Sequence, residues 1–150
     1  MTKTKLIFLT ASAFAVIAFA FHGFSFQQEK EPWTPQQLLE PADLAKTLSD
    51  VKSPQPIVYC IGPQAVIKNS IFIGPTQSKD NLKQFREQVS RLAKDAHIVI
   101  YCGCCPFRRC PNIRPAFRVL NEMGFKNPKL LNLPQNIKVD WIDHDYPVNN

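Results

Sequence analysis

The chain has 150 residues, 45% of them hydrophobic and 20% charged, which is enough apolar material for one folded domain and too little length for two. The formal net charge is +6, but Lys3 and Lys5 belong to an N-terminal leader, and the remaining sixteen basic residues against twelve acidic ones leave only +4. Those charges are scattered, apart from the locally basic set Arg108, Arg109 and Arg114, so the pattern argues against a nucleic-acid partner and leaves one anion-friendly stretch.

Residues 1–26 read as a signal peptide or an N-terminal membrane anchor. Two lysines precede a charge-free apolar run over 6–21, and Ala18-Phe19-Ala20 offers a small-x-small cleavage site. If cleavage fails, the run extended to Phe26 reaches the ~20 residues that a membrane helix needs. The expectation is an exported, periplasmic domain that contacts a membrane only if the leader is retained, in a compartment where disulfides persist. Residues 27–33 form a polar tether, and the folded domain is placed at 34–150.

Elements then alternate. Within residues 38–50, Pro41 suits a helix start and Leu44, Ala45 and Leu48 recur at helical spacing. The apolar run at 56–62 reads as a buried strand, and 65–75 as a short strand or extended segment ending at Gly74-Pro75. Residues 78–95 predict an amphipathic helix through Leu82, Phe85, Val89 and Leu92, with Ser78 or Asp80 as cap and Glu87 to Arg91 as an i,i+4 pair. Residues 97–102 predict a second buried strand. A helix follows over 112–125, with Asn112 as a cap, Pro115 in its first turn and Gly124 as its stop. A last short strand covers 128–133. Helices between fully apolar strands imply an α/β fold with a central parallel sheet covered by helices on both faces, in which ligands bind beyond the carboxyl ends of the strands.

Four of the five cysteines fall at Cys102, Cys104, Cys105 and Cys110, directly after the second strand; the fifth is Cys60, at the end of the first. Three readings stand. A metal site is one, although zinc sites generally draw on two separated pairs, and zinc or copper, perhaps with Cys60, would have to accept crowded spacing. A disulfide is another, Cys104 or Cys105 closing on Cys110. A reactive thiol is the third: Cys102 sits where a strand ends and a helix will begin, so loop N–H groups, the helix dipole and Arg108 or Arg109 would stabilise its thiolate. An odd number of cysteines leaves at least one unpaired within the chain. The Cys102-x5-Arg108 spacing also matches the phosphate-clamping loop of cysteine phosphatases. His144 between Asp143 and Asp145 offers either a cation site or a solvated turn.

Residues 33–148 resemble a single rhodanese-like domain. The resemblance lies in "IVIYC" followed by a loop, then "AFRVLNEMGF", then "LLNL…WIDHDYPV", with "IKNSIFIGP" similar to the family's upstream segment. It implies a rhodanese-like fold and a sulfurtransferase or persulfide carrier, with Cys102 as the catalytic cysteine that takes sulfane sulfur from a small sulfur-containing anion such as thiosulfate. An acceptor thiol or protein would then receive the sulfur. The anion-binding loop would comprise Gly103, Cys104, Cys105, Phe107, Arg108, Arg109 and Arg114, and no cofactor would be required. The family's D-x-R is replaced by Cys60-Ile61-Gly62. Because the two strands lie side by side in that fold, Cys60 becomes a resolving-thiol candidate beside Cys104, Cys105 and Cys110. The alternative is a thiol-redox or soft-metal module built on Cys60 and the cluster from Cys102 to Cys110.

Overall fold

A computed structural model describes residues 30–149, so the expected leader lies outside the described residues. The expected parallel sheet is present. It has five strands, β1 (Leu38–Leu39), β2 (Ile57–Cys60), β3 (Ile71–Phe72), β4 (Ile98–Tyr101) and β5 (Lys129–Leu131), all parallel in the order β1-β5-β4-β2-β3. β4 is central because its four residues are all buried, as an unbroken Ile-Val-Ile-Tyr run must be when both faces are covered.

Alternation along the strands divides the core in two. On one face Tyr59, Ile61, Ile98, Ile100 and Cys102 pack under helices α2 (Lys79–Val89) and α3 (Ile113–Glu122), through Phe85, Val89, Ala116, Phe117 and Leu120. On the other, Val58, Cys60, Val99 and Tyr101 pack under α1 (Pro41–Ser49) and the C-terminal segment around Trp141. α3 ends where expected: Phe125 N–H donates to the Leu120 carbonyl at 3.1 Å and Gly124 N–H to that of Asn121 at 3.0 Å, the bonding of a Schellman motif.

Four details differ from the sequence reading. β1 occupies Leu38 and Leu39, read as the approach to a helix; residues before a proline avoid the helical region, and Glu40 at φ −71°, ψ 141° keeps the chain extended up to Pro41. α2 stops at Val89 because the Ser90 hydroxyl turns back to the Glu87 carbonyl at 2.7 Å, so Arg91 falls outside the helix and Glu87 faces Lys83 instead, at 3.9 Å. A short helix, α4 (Ile137–Asp140), lies where no element was expected. Finally, packing begins before residue 34: Glu31 pairs with Arg114 at 2.7 Å, and Trp33 is buried against Phe117 and Phe107.

Candidate functional site

The site grows from the end of β4. Ile61 N–H donates to the Tyr101 carbonyl at 2.9 Å and so carries the β2–β4 pairing one residue beyond the strands, setting Gly62 against Cys102. A Cβ at Gly62 would stand 2.1 Å from the Cys102 carbonyl oxygen and 2.8 Å from its sulfur. Only glycine admits that approach. At Gly103 the chain turns with φ 83°, a left-handed conformation that side chains disfavour, and leaves the sheet.

The cysteine loop is then strapped down from the C-terminal side. Ile137 N–H donates to the Gly103 carbonyl at 2.9 Å and Phe107 N–H to the Leu133 carbonyl at 3.1 Å. The strap is firm because its own turn is capped twice, with the Asn136 side chain accepting from Val139 N–H and Asp140 Oδ2 accepting from Gln135 and Asn136 N–H.

This path gathers the sulfurs. Cys102 Sγ lies 3.2 Å from Cys104 Sγ, and Cys104 Sγ lies 3.3 Å from Cys105 Sγ. The sulfurs of Cys102, Cys104 and Cys110 are all within 4.8 Å of one another. Cys102 and Cys110 are buried, Cys105 is half-buried and Cys104 is exposed. All five thiols are free in this structure, so the expected staple from Cys104 or Cys105 to Cys110 is not formed. The Cys110 thiol is turned toward Cys102 instead.

Cys102 is the electrostatic centre. Its pKa is lowered to about 5, first by the hydrogen bond from the Cys110 thiol, then by the Cys104 N–H, the Asn112 side-chain amide and the Cys104 thiol, all acting against the cost of burial. The amide bond is 3.2 Å long, from Asn112 Nδ2 to Cys102 Sγ. The neighbours move the other way. Burial, together with the bond to Cys102, pushes Cys104 up to about 12, and Cys110 is raised chiefly because it donates its proton to Cys102. Cys102 holds the charge, and Cys104 and Cys110 hold protons beside it.

The Cys104 N–H is a loop donor of the kind expected, and the other donors are side chains. Asn112 stands at the start of α3 but makes no cap: its amide N–H reaches Cys102, its Oδ1 accepts from Gln77 N–H at 3.1 Å, and its backbone N–H reaches the Cys110 sulfur. The start of α3 thus addresses Cys110 through its backbone N–H and Cys102 through the Asn112 side chain. The N–H groups of Phe107, Arg109 and Cys110 are bonded to carbonyls, so they form no anion cradle. Arg114 is held by Glu31 and by the Arg108 carbonyl at 2.8 Å, over the Trp33 ring. Arg108 lies over Phe107, and with Arg109 it borders a hollow shared with Pro106 and Pro134. Cys102 opens elsewhere, on a cavity of about 80 Å³ lined by Pro63, Gln64, Gly103, Cys104 and Ile137. The phosphatase-like placement of Arg108 is therefore not realised.

Cys60 is the other departure. It is level with Tyr101, one residue short of Cys102, so its side chain points to the opposite face of the sheet. Its thiol donates to the Gln64 carbonyl at 3.1 Å, and burial raises its pKa. Direct pairing of Cys60 with Cys102 does not fit this alternation.

At the C-terminus Asp143 pairs with Lys138 at 2.6 Å and His144 stacks on Tyr146, so those side chains are engaged as a turn. Two contributors had been missed. Asn112 carried a visible signal, an amide directly after Cys110-Pro111; the strap at Asn136-Ile137 carried one as well, a capping residue before an apolar one. Among known proteins no family model, no curated protein and no solved structure matches the chain.

Proposed function

We propose that this protein is a sulfurtransferase or persulfide carrier of the rhodanese-like kind, exported by its leader, with Cys102 as the nucleophile. The observation that carries the reading is the setting of Cys102: a sulfur at the end of the central strand, surrounded by N–H and S–H donors and facing a small cavity. A thiolate so held attacks the outer sulfur of a small anion such as thiosulfate. A new S–S bond forms, the bond within thiosulfate breaks, and sulfite leaves with the electron pair. An acceptor thiolate or cyanide then attacks the outer sulfur of the Cys102 persulfide and regenerates the thiolate. Each step is a displacement at sulfur, and no cofactor takes part.

Exposed Cys104 stands at the mouth of this site, so donor and acceptor reach Cys102 past it. The test is the intact mass of the full-length chain, reduced, before and after thiosulfate. Gain of one sulfur, located on Cys102 and released by cyanide, is the expected result. Loss of hydrogens in pairs with no sulfur gained would replace this reading with a thiol-redox module.

A further inference from the structure

We infer that Cys102, Cys104 and Cys110 form a three-thiolate site for a soft monovalent metal ion, copper(I), which enters and leaves on the Cys104 side. The first ground is spacing. An ion bonded to three sulfurs at ~2.3 Å in a plane needs them about 4 Å apart. The three sulfurs span this value, from 3.2 Å between Cys102 and Cys104 to a limit of 4.8 Å across the set. Small rotations about the Cys side-chain bonds therefore close the site without moving the backbone.

The second ground is the donor set. Among the described residues, the group able to hold a metal consists of thiols alone, with neither histidine nor carboxylate in it. Such a set favours soft, thiophilic ions over hard cations. Cys105 does not complete a tetrahedron: its sulfur is 3.3 Å from that of Cys104 but stands outside the set whose members all lie within 4.8 Å. Structural zinc takes four ligands. Three sulfurs without a fourth suit copper(I).

The third ground is the surrounding shell. Asn112 gives its side-chain amide to Cys102 and its backbone N–H to Cys110, while the Cys104 N–H also reaches Cys102. N–H groups aimed at sulfur orient thiolate ligands and offset the charge of a metal-thiolate centre. Binding is a ligand exchange with no change in oxidation state: three Cu–S bonds form, remaining thiol protons leave to solvent, and the ion's previous ligands depart. Two ligands are buried and one is exposed, so an incoming carrier thiol reaches the ion beside Cys104.

The test titrates copper(I) into the reduced full-length chain without oxygen, against a chromophoric copper(I) chelator, with X-ray absorption counting the sulfur neighbours. One ion per chain with three sulfur neighbours at ~2.3 Å is expected. Cys104→Ser should weaken binding by roughly hundredfold or more, and Asn112→Asp by about 10–100-fold, since loss of an orienting partner costs that much at metal sites. Cys105→Ser should leave affinity unchanged. Failure to compete with the chelator, two or four sulfur neighbours, or equal losses in Cys105→Ser and Cys104→Ser would overturn the proposal. Cys104 is exposed, so its serine variant keeps the fold. The wild-type chain separates the two readings. A wild-type chain that takes sulfur but no copper overturns only the metal site, and the reverse result overturns only the sulfur transfer.

Discussion

Cys60 and Cys102 close neighbouring strands on the same edge of one sheet, yet their thiols are shifted in opposite directions. At Cys60 burial is the largest influence and raises the pKa, and the nearby charge of Cys102 adds to it, outweighing the hydrogen bonds at Gly62, Tyr101 and Gln64 that lower it. Cys102 meets the Cys110 thiol, a backbone N–H, an amide N–H and the Cys104 thiol, which favour the thiolate. Both are buried, so burial raises both; at Cys60 it outweighs the hydrogen bonds, and at Cys102 the bonds, led by the Cys110 thiol, outweigh it. A single step in register, from one face of the pleat to the other, turns a core thiol into a candidate nucleophile.

The sharpest way to break that comparison is to remove each sulfur. Cys102→Ser should abolish sulfur uptake from thiosulfate, measured by intact mass and by cyanide-released thiocyanate, while Cys60→Ser should retain it. Loss of uptake in both would mean that the two faces act together.

A second experiment reads the titrations in the metal-free protein. Cys102 has its pKa lowered to about 5, so its thiolate is fully populated between pH 6 and 8, and its alkylation rate should be flat there and fall only as pH drops through about 5. Cys60, raised above its ordinary 9, should react about tenfold faster per pH unit over the same range, because its thiolate is the minor form throughout. Peptide-resolved alkylation gives both profiles. Parallel profiles would erase the contrast.

Smaller effects come from the groups that keep the faces apart. Gly62→Ala puts a methyl carbon 2.1 Å from the Cys102 carbonyl oxygen. The overpacking should lower stability by about 1–3 kcal/mol in a denaturant melt and slow sulfur uptake as Cys102 shifts from its donors. Across the sheet, the Tyr101 hydroxyl accepts from Val66 N–H at 3.0 Å and Ile67 N–H at 3.1 Å. Tyr101→Phe strands those donors, and should cost about 1–2 kcal/mol while leaving uptake at Cys102 intact.

Much of the frame was legible from residue order alone. Continuous apolar runs such as Ile98-Val99-Ile100-Tyr101, separated by helical periodicity, specify parallel strands between helices, because burial on both faces leaves a strand no polar side. The proline at 41 and the glycine at 124 marked helix ends through local backbone chemistry. The cluster from Cys102 to Cys110 was visible as a cluster, and Cys102 as its member at a strand terminus.

Only tertiary structure decided what the cluster does with its charge. Basic residues near a cysteine suggested arginine as the stabiliser, but Arg114 is drawn off by Glu31, a contact between residues 83 apart in sequence. The donors are Asn112 and Cys110, brought back by the turn before α3, and the loop holding them is fixed by Ile137 from the far end of the chain. Hydrogen bonds act over about 3 Å in space whatever the distance along the chain. Composition and period therefore determined the sheet and the place of the thiols, while the choice of which sulfur carries the charge belongs to contacts that exist only once the chain has closed.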